Sequence, residues 1–125
     1  MEEVKFNFEN LIVYQKSLDF IDLVYHTSEK FPKMETYILS SQYIRAANSI
    51  ALNISEGAGN TNAQFNRYLQ IALDSTRECV VCSTIVLRRK YISSEQNKLA
   101  RSQLAELSKM ITSLQKHLKN KPSNY

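Results

Sequence analysis

The chain is poor in the residues that interrupt regular structure, with two glycines, two prolines and no tryptophan. So little punctuation implies short loops and long elements. Its two cysteines, Cys79 and Cys82, are too few for the disulfide framework of a small secreted domain. The start, Met1-Glu2-Glu3-Val4-Lys5, is acidic and lacks the apolar centre of a signal peptide. There is no run of about 18 uncharged apolar residues to span a membrane. A cytoplasmic location with no membrane partner is therefore expected. A Walker loop is absent, and Gly57 and Gly59 form no dinucleotide fingerprint, because Asn62 stands where a third glycine is needed. No carboxylate pair or Ser/His/Asp set can be assembled, so neither an enzyme nor a cofactor is expected.

What remains is helical. The 125 residues, 43% apolar and 22% charged, suit one domain over 1–125 with a real core. Apolar spacing of 3 and 4 places a first helix at about 10–31, ended by Pro32. One stripe on it is Leu11, Tyr14, Leu18, Ile21 and Tyr25; a second is Val13, Phe20, Val24 and Phe31. A second helix is expected at about 35–56, apolar around most of its girth. Thr61 with Gln64 forms a capping box that starts a third helix at about 62–91. Ser93 with Gln96 repeats the signal for a fourth at about 94–119, with Leu104, Leu107, Ile111, Leu114 and Leu118 as its seam. Pro122 stops that helix, leaving residues 121–125 as a frayed tail. The two glycines then mark the corner between helices 2 and 3, one of them in the left-handed conformation that ends a helix. The reading is an all-α, antiparallel up-down four-helix bundle. Its surplus apolar surface, especially on helices 1, 2 and 3 and including Ile71, Leu73, Val81, Ile85 and Leu87 on helix 3, implies a homo-oligomer.

Three groups of residues are candidates for function. Residues 1–60 carry five basic and eight acidic groups, net −3, whereas residues 61–125 carry eleven and four, net +7. The densest run is Arg88-Arg89-Lys90, followed by Tyr91, with Arg101, Lys109, Lys116 and Lys119 further on. These are candidates to contact the phosphates of RNA or DNA, with Tyr91 able to stack on a base. Cations at a helix C-terminus also have a purely structural explanation in the helix dipole. The second group is a polar line down helix 2, Gln42, Arg45, Ser49, Asn53 and Glu56, at spacings of 3, 4, 4 and 3. It is either a solvent-facing stripe or a hydrogen-bonded network fixing the corner at Gly57 and a subunit contact. A carboxylate at a helix C-terminus needs compensation, so Glu56 is expected to pair with Arg45 or with the first N–H groups of helix 3. The third group is Cys79-Val80-Val81-Cys82. It reads as two buried thiols, or with His26 and His117 as a metal or redox site.

The string Gln42-Tyr43-Ile44-Arg45-Ala46-Ala47-Asn48-Ser49-Ile50, continuing Asn53-Ile54-Ser55-Glu56-Gly57, resembles bacterial four-helix-bundle proteins named for intervening sequences in large-subunit ribosomal RNA genes. Phe31-Pro32, Phe65 with Tyr68-Leu69, and Ser75 with Glu78 extend the likeness over roughly residues 8 to 118. The resemblance implies a homopentameric ring and no catalytic residue. Relatives include the basic accessory protein of diversity-generating retroelements, which works with a reverse transcriptase and nucleic acid. This chain departs from the pattern at Ile44, where a second arginine is frequent, and at Asp74, where glycine is frequent. The functional expectation is a non-enzymatic oligomeric scaffold binding RNA or DNA. The alternatives are a protein-interaction adaptor without nucleic-acid affinity, or a metal or redox protein.

Overall fold

The computed structural model describes residues 2–120. Four helices make up the fold: α1 (Ile12–Ser28), α2 (Ser41–Gly57), α3 (Asn62–Arg88) and α4 (Ser94–Asn120). No strand occurs among the described residues. The Pro122 stop and the tail over 121–125 lie outside them. Neighbouring helices run antiparallel, as the α2–α3 pairs Arg45–Glu78 and Ser49–Ser75 show. The α3–α4 pairs Ser83–Asn97 and Gln70–Gln115 show the same direction. Among adjacent helices, packing is most extensive between α2 and α3 and least between α1 and α4.

One core runs through all four helices. Phe20, Val24, Tyr43, Ile50, Ile54, Leu69, Leu104, Leu107 and Ile111 are buried in it. On α1 the inward stripe is Val13, Phe20 and Val24, continued by Phe31 just past the helix end. Leu11, Tyr14 and Ile21 lie at the edge of the core, and Leu18 and Tyr25 are exposed. Ser17, Thr76 and Ser83 are buried without loss because each hydroxyl has a partner. Ser17 donates to the Tyr14 carbonyl at 2.6 Å, Thr76 to the Ala72 carbonyl at 2.9 Å and Ser83 to Asn97 Oδ1 at 2.8 Å.

The helix ends differ from the sequence expectation in instructive ways. α1 is preceded by a 3-10 turn over Asn7–Asn10 and stops at Ser28. Lys30 and Phe31 then donate to carbonyls only three residues back, because the residue before Pro32 is pushed out of the α region. The chain enters α2 through a 3-10 turn over Lys33–Glu35 and a π-helical segment over Thr36–Ser40. α3 ends at Arg88, three residues before the expected boundary. Lys90 takes φ 64°, Tyr91 N–H donates to the Val86 carbonyl at 3.0 Å and Lys90 N–H to the Leu87 carbonyl at 2.9 Å. That is a Schellman closure with lysine where glycine is usual.

The start signals operate as local chemistry. Gln64 N–H donates to Thr61 Oγ1 at 3.2 Å. At α4 both halves of the box form, with Ser93 N–H on Gln96 Oε1 at 2.7 Å and Gln96 N–H on Ser93 Oγ at 3.1 Å. The two glycines at the α2–α3 corner have different reasons. Gly59 carries the positive φ, 88°. Gly57 is buried in α2, where a Cβ would stand 2.7 Å from Tyr68 Cβ and 2.9 Å from Phe65 Cδ1.

Candidate functional site

The cations of α4 line one side of a single helix. At 100° per residue Arg101, Lys109, Lys116 and Lys119 fall within a sector of about 80°, and Lys98 falls in the same sector. All five are exposed, and the sector points away from the buried side formed by Ala100, Leu104, Leu107 and Ile111. Glu95 and Glu106 project from α4 outside it. Among the described residues no salt bridge engages any of the five. From Lys98 to Lys119 the stripe is about 31 Å long at 1.5 Å per residue. Lys98 was missed in the sequence reading, although its spacing of 3 from Arg101 and 11 from Lys109 places it on the same side.

Arg88, Arg89 and Lys90 are exposed at the end of α3 nearest the start of α4, beside Lys98 and Arg101. They do not form one compact patch with Lys116 and Lys119, which sit at the opposite end of the bundle. Arg101 Nη1 donates to Thr84 Oγ1 at 3.4 Å, which leans its side chain toward α3. Tyr91 corrects an expectation. Its ring packs on Phe31 at a centroid distance of 5.6 Å, and its hydroxyl donates to Glu35 Oε2 at 2.8 Å. The hydrogen bond to that carboxylate raises the phenol above its ordinary pKa. The ring is thus engaged in tying the α3–α4 turn to the α1–α2 connection, and it is not presented for stacking on a base.

The polar line of α2 resolves into a network along the α2–α3 seam. Ser49 Oγ and Ser75 Oγ share a hydrogen bond of 2.8 Å. Asn53 Nδ2 donates to the Ser49 carbonyl at 2.8 Å and to Ser49 Oγ at 3.0 Å. Arg45 Nη2 pairs with Glu78 Oε2 at 3.2 Å, with both side chains partly in water. Gln42 and Glu56 are exposed at the two ends. Glu56 departs from the expectation: among the described residues its carboxylate meets neither Arg45 nor the N–H groups of α3. Asn60 instead donates to the Glu56 carbonyl at 2.8 Å, so the helix end is satisfied through its backbone.

These pairs fix the register of the seam. With 45 opposite 78 and 49 opposite 75, the register sets Leu52 opposite Ile71 beyond one end of the network, while Ile38, in the π-helical segment before α2, and Ile85 lie beyond the other. Leu52 is 65% exposed, Ile38 66%, Val81 57% and Ile71 46%. Two apolar areas therefore flank the Arg45–Glu78 ion pair on the outside of the molecule. Tyr25 and Tyr37 border the same outer side of α2, in an open groove with Ile44, Asn48 and Leu52.

Cys79 and Cys82 are free and buried against α2. Burial pushes both thiols up, Cys82 to about 11 and Cys79 further, with the neighbouring Glu78 adding to the rise. They are held as neutral thiols at neutral pH. Among the described residues no three His, Cys, Asp or Glu side chains are grouped to hold a metal ion. His117 lines an apolar groove with Leu11, Val13 and Leu114, and His26 is exposed on α1.

Similarity to known proteins follows the helices and the seam. A family model described as 23S rRNA-intervening sequence protein matches residues 9–113. The chain belongs to that family. The match contains the whole α2–α3 network and the cations Lys98, Arg101 and Lys109, whereas Lys116 and Lys119 lie beyond it. A crystal structure of a protein with unknown function from the S23 ribosomal protein family, from Bacteroides thetaiotaomicron VPI-5482, is similar at 27% identity. The similarity covers 84% of this chain and 99% of that one, with a TM-score of 0.77. No curated protein matches. Among the described residues of this family member, no helix is long and apolar enough to cross a membrane.

Proposed function

We propose that the chain is a non-enzymatic, self-assembling helical scaffold of the cytoplasm that binds RNA or DNA. The observation that carries this reading is the segregation of the outer surface. Apolar side chains collect on the α2–α3 seam, and cations with no acidic partner among the described residues collect on α4. Self-association through the first leaves the second in solvent. A ring, five-fold by the resemblance above, repeats one such contact around an axis and multiplies the charge. With +4 per chain, five copies carry a formal +20.

The test is light scattering coupled to size exclusion, followed by titration with RNA and with DNA from about 50 to 200 mM salt. A mass several times 14.4 kDa and binding that falls steeply with salt are the expected results. The exposed Leu52, Ile71 and Ile38 also favour a second reading, an adaptor whose seam receives another protein. In that case nucleic acid is not bound, and a partner protein is held with little dependence on salt.

A further inference from the structure

The α4 stripe combines three features that together specify a class of nucleic acid. Its cations are exposed and, among the described residues, unpaired by acids. The residues between them are short: Ala105 and Thr112 lie within the sector and Ser108 at its edge. Ser108, Thr112 and Ser113 border a shallow depression with Lys109 and Lys116. A phosphate strand can therefore come down to the helix surface and meet hydroxyl donors as well as ammonium groups. Finally, α4 contains no Phe, Tyr or Trp. His117 is turned toward α1, and Tyr91, the one aromatic in the expected site, is engaged by Phe31 and Glu35.

Single strands are held by stacking their bases on aromatic side chains within a charged groove. Among the described residues, the α4 face offers neither an aromatic platform nor a groove deep enough to enclose bases. A double helix needs neither, because its bases are already stacked and its phosphates stand on the outside. The cations also fall into three positions along the helix: Lys98 with Arg101, then Lys109, then Lys116 with Lys119. Successive positions are separated by about 13–14 Å at 1.5 Å per residue. Cations spaced along a rigid helix in this way can meet phosphates at several points on the outside of a duplex.

We infer that α4 is a docking ridge for the phosphate backbone of double-stranded nucleic acid, read by shape and charge and not by base sequence. This rests on the nucleic-acid reading above and narrows it to one substrate class. Up to five phosphates are neutralised per engaged subunit, for a slope of log K against log salt of about −4.5 on DNA.

Fluorescence anisotropy with a labelled 25-base-pair RNA duplex, the matching DNA duplex and one unstructured strand tests the inference. Both duplexes are expected to bind at least tenfold more tightly than the single strand at 100 mM salt. A preference between the two duplexes reports whether A-form or B-form geometry suits the ridge. Lys109→Glu with Lys116→Glu should weaken duplex binding at least tenfold and reduce the salt slope by about 2. Lys33→Glu, a charge reversal on the α1–α2 connection, should change binding less than threefold. Circular dichroism of each variant confirms folding. A single strand bound as tightly as the duplexes overturns the duplex inference and leaves the nucleic-acid reading standing. Duplex binding that survives the double reversal overturns the assignment to α4. Absence of binding to all three probes removes both.

Discussion

Gly57 and Gly59 sit two residues apart, yet different constraints select glycine at each. Gly59 needs its positive φ, whereas Gly57 is helical and needs the absence of a side chain. Gly57→Ala places a Cβ 2.7 Å from Tyr68 Cβ, an atom fixed by the α3 backbone. Relief requires the two helices to separate, so the substitution should lower stability by about 1–3 kcal/mol in urea titration. A change under 0.5 kcal/mol would show that the corner is looser than its geometry. The glycine-rich corner was legible in the sequence because turn chemistry is local. The separate role of Gly57 was not, since it depends on how closely α3 approaches. The thiols supply a residue-level prediction in pH. Cys79, Cys82 and Tyr43 are all raised by burial, Cys82 from 9.0 to about 11. Above pH 9 the unfolded chain releases protons that the folded chain retains. Stability is therefore fully present below about pH 9 and declines as pH rises toward 11. Denaturant midpoints measured across that window should fall, and Cys82→Ala should make the fall shallower. A flat profile would mean that the thiols are already solvated.

Each helix boundary records a contest between periodicity and local closure. Period and capping residues placed four helices, because the apolar spacing and the Ser93/Gln96 box are both carried by neighbouring residues. They could not choose between the two stripes of α1. Both have helical spacing, and only packing against the other helices, such as Phe20 against Tyr43, draws Phe20 and Val24 inward while Leu18 stays 39% exposed. The end of α3 was illegible for another reason. Lysine is not a stop signal, and its left-handed φ of 64° is imposed by the two closing hydrogen bonds and by the seating of Tyr91 on Phe31. An L-residue in that conformation is disfavoured by about 1–2 kcal/mol, partly offset in a glycine variant by its freer unfolded chain. Lys90→Gly should therefore raise stability by about 0.5–1 kcal/mol while leaving the α4 stripe intact. Calorimetry checks this, and a lowered melting temperature would show that the Lys90 side chain makes a stabilising contact that outweighs the strain.

At the scale of the molecule, helical spacing leaves more apolar side chains than the inward stripes of one bundle use, and the register of the seam says where some of them lie. Ser49–Ser75 and Arg45–Glu78 align α2 with α3 so that Leu52 and Ile71 lie beyond one end of the network, with Ile38 and Ile85 beyond the other. The sequence could list these residues as surplus but could not bring them together, because that alignment is a property of two helices and not of either one. The arrangement has the anatomy of an interface, with apolar areas around an ion pair that gains strength when water leaves. Leu52→Asp with Ile71→Asp separates the two possible roles of this surface. Within a single chain both positions are largely in solvent, so the pair should alter stability by no more than about 1 kcal/mol. Between copies, each aspartate is buried without a partner, at a cost of several kcal/mol per contact. The variant should therefore run near 14.4 kDa by light scattering, with unchanged helical circular dichroism, where the parent runs as a multiple of that mass. A variant that keeps the parent's assembled mass places self-association on another face. A parent that itself runs at 14.4 kDa leaves the seam open to a different protein, and the charge on α4 then acts one chain at a time.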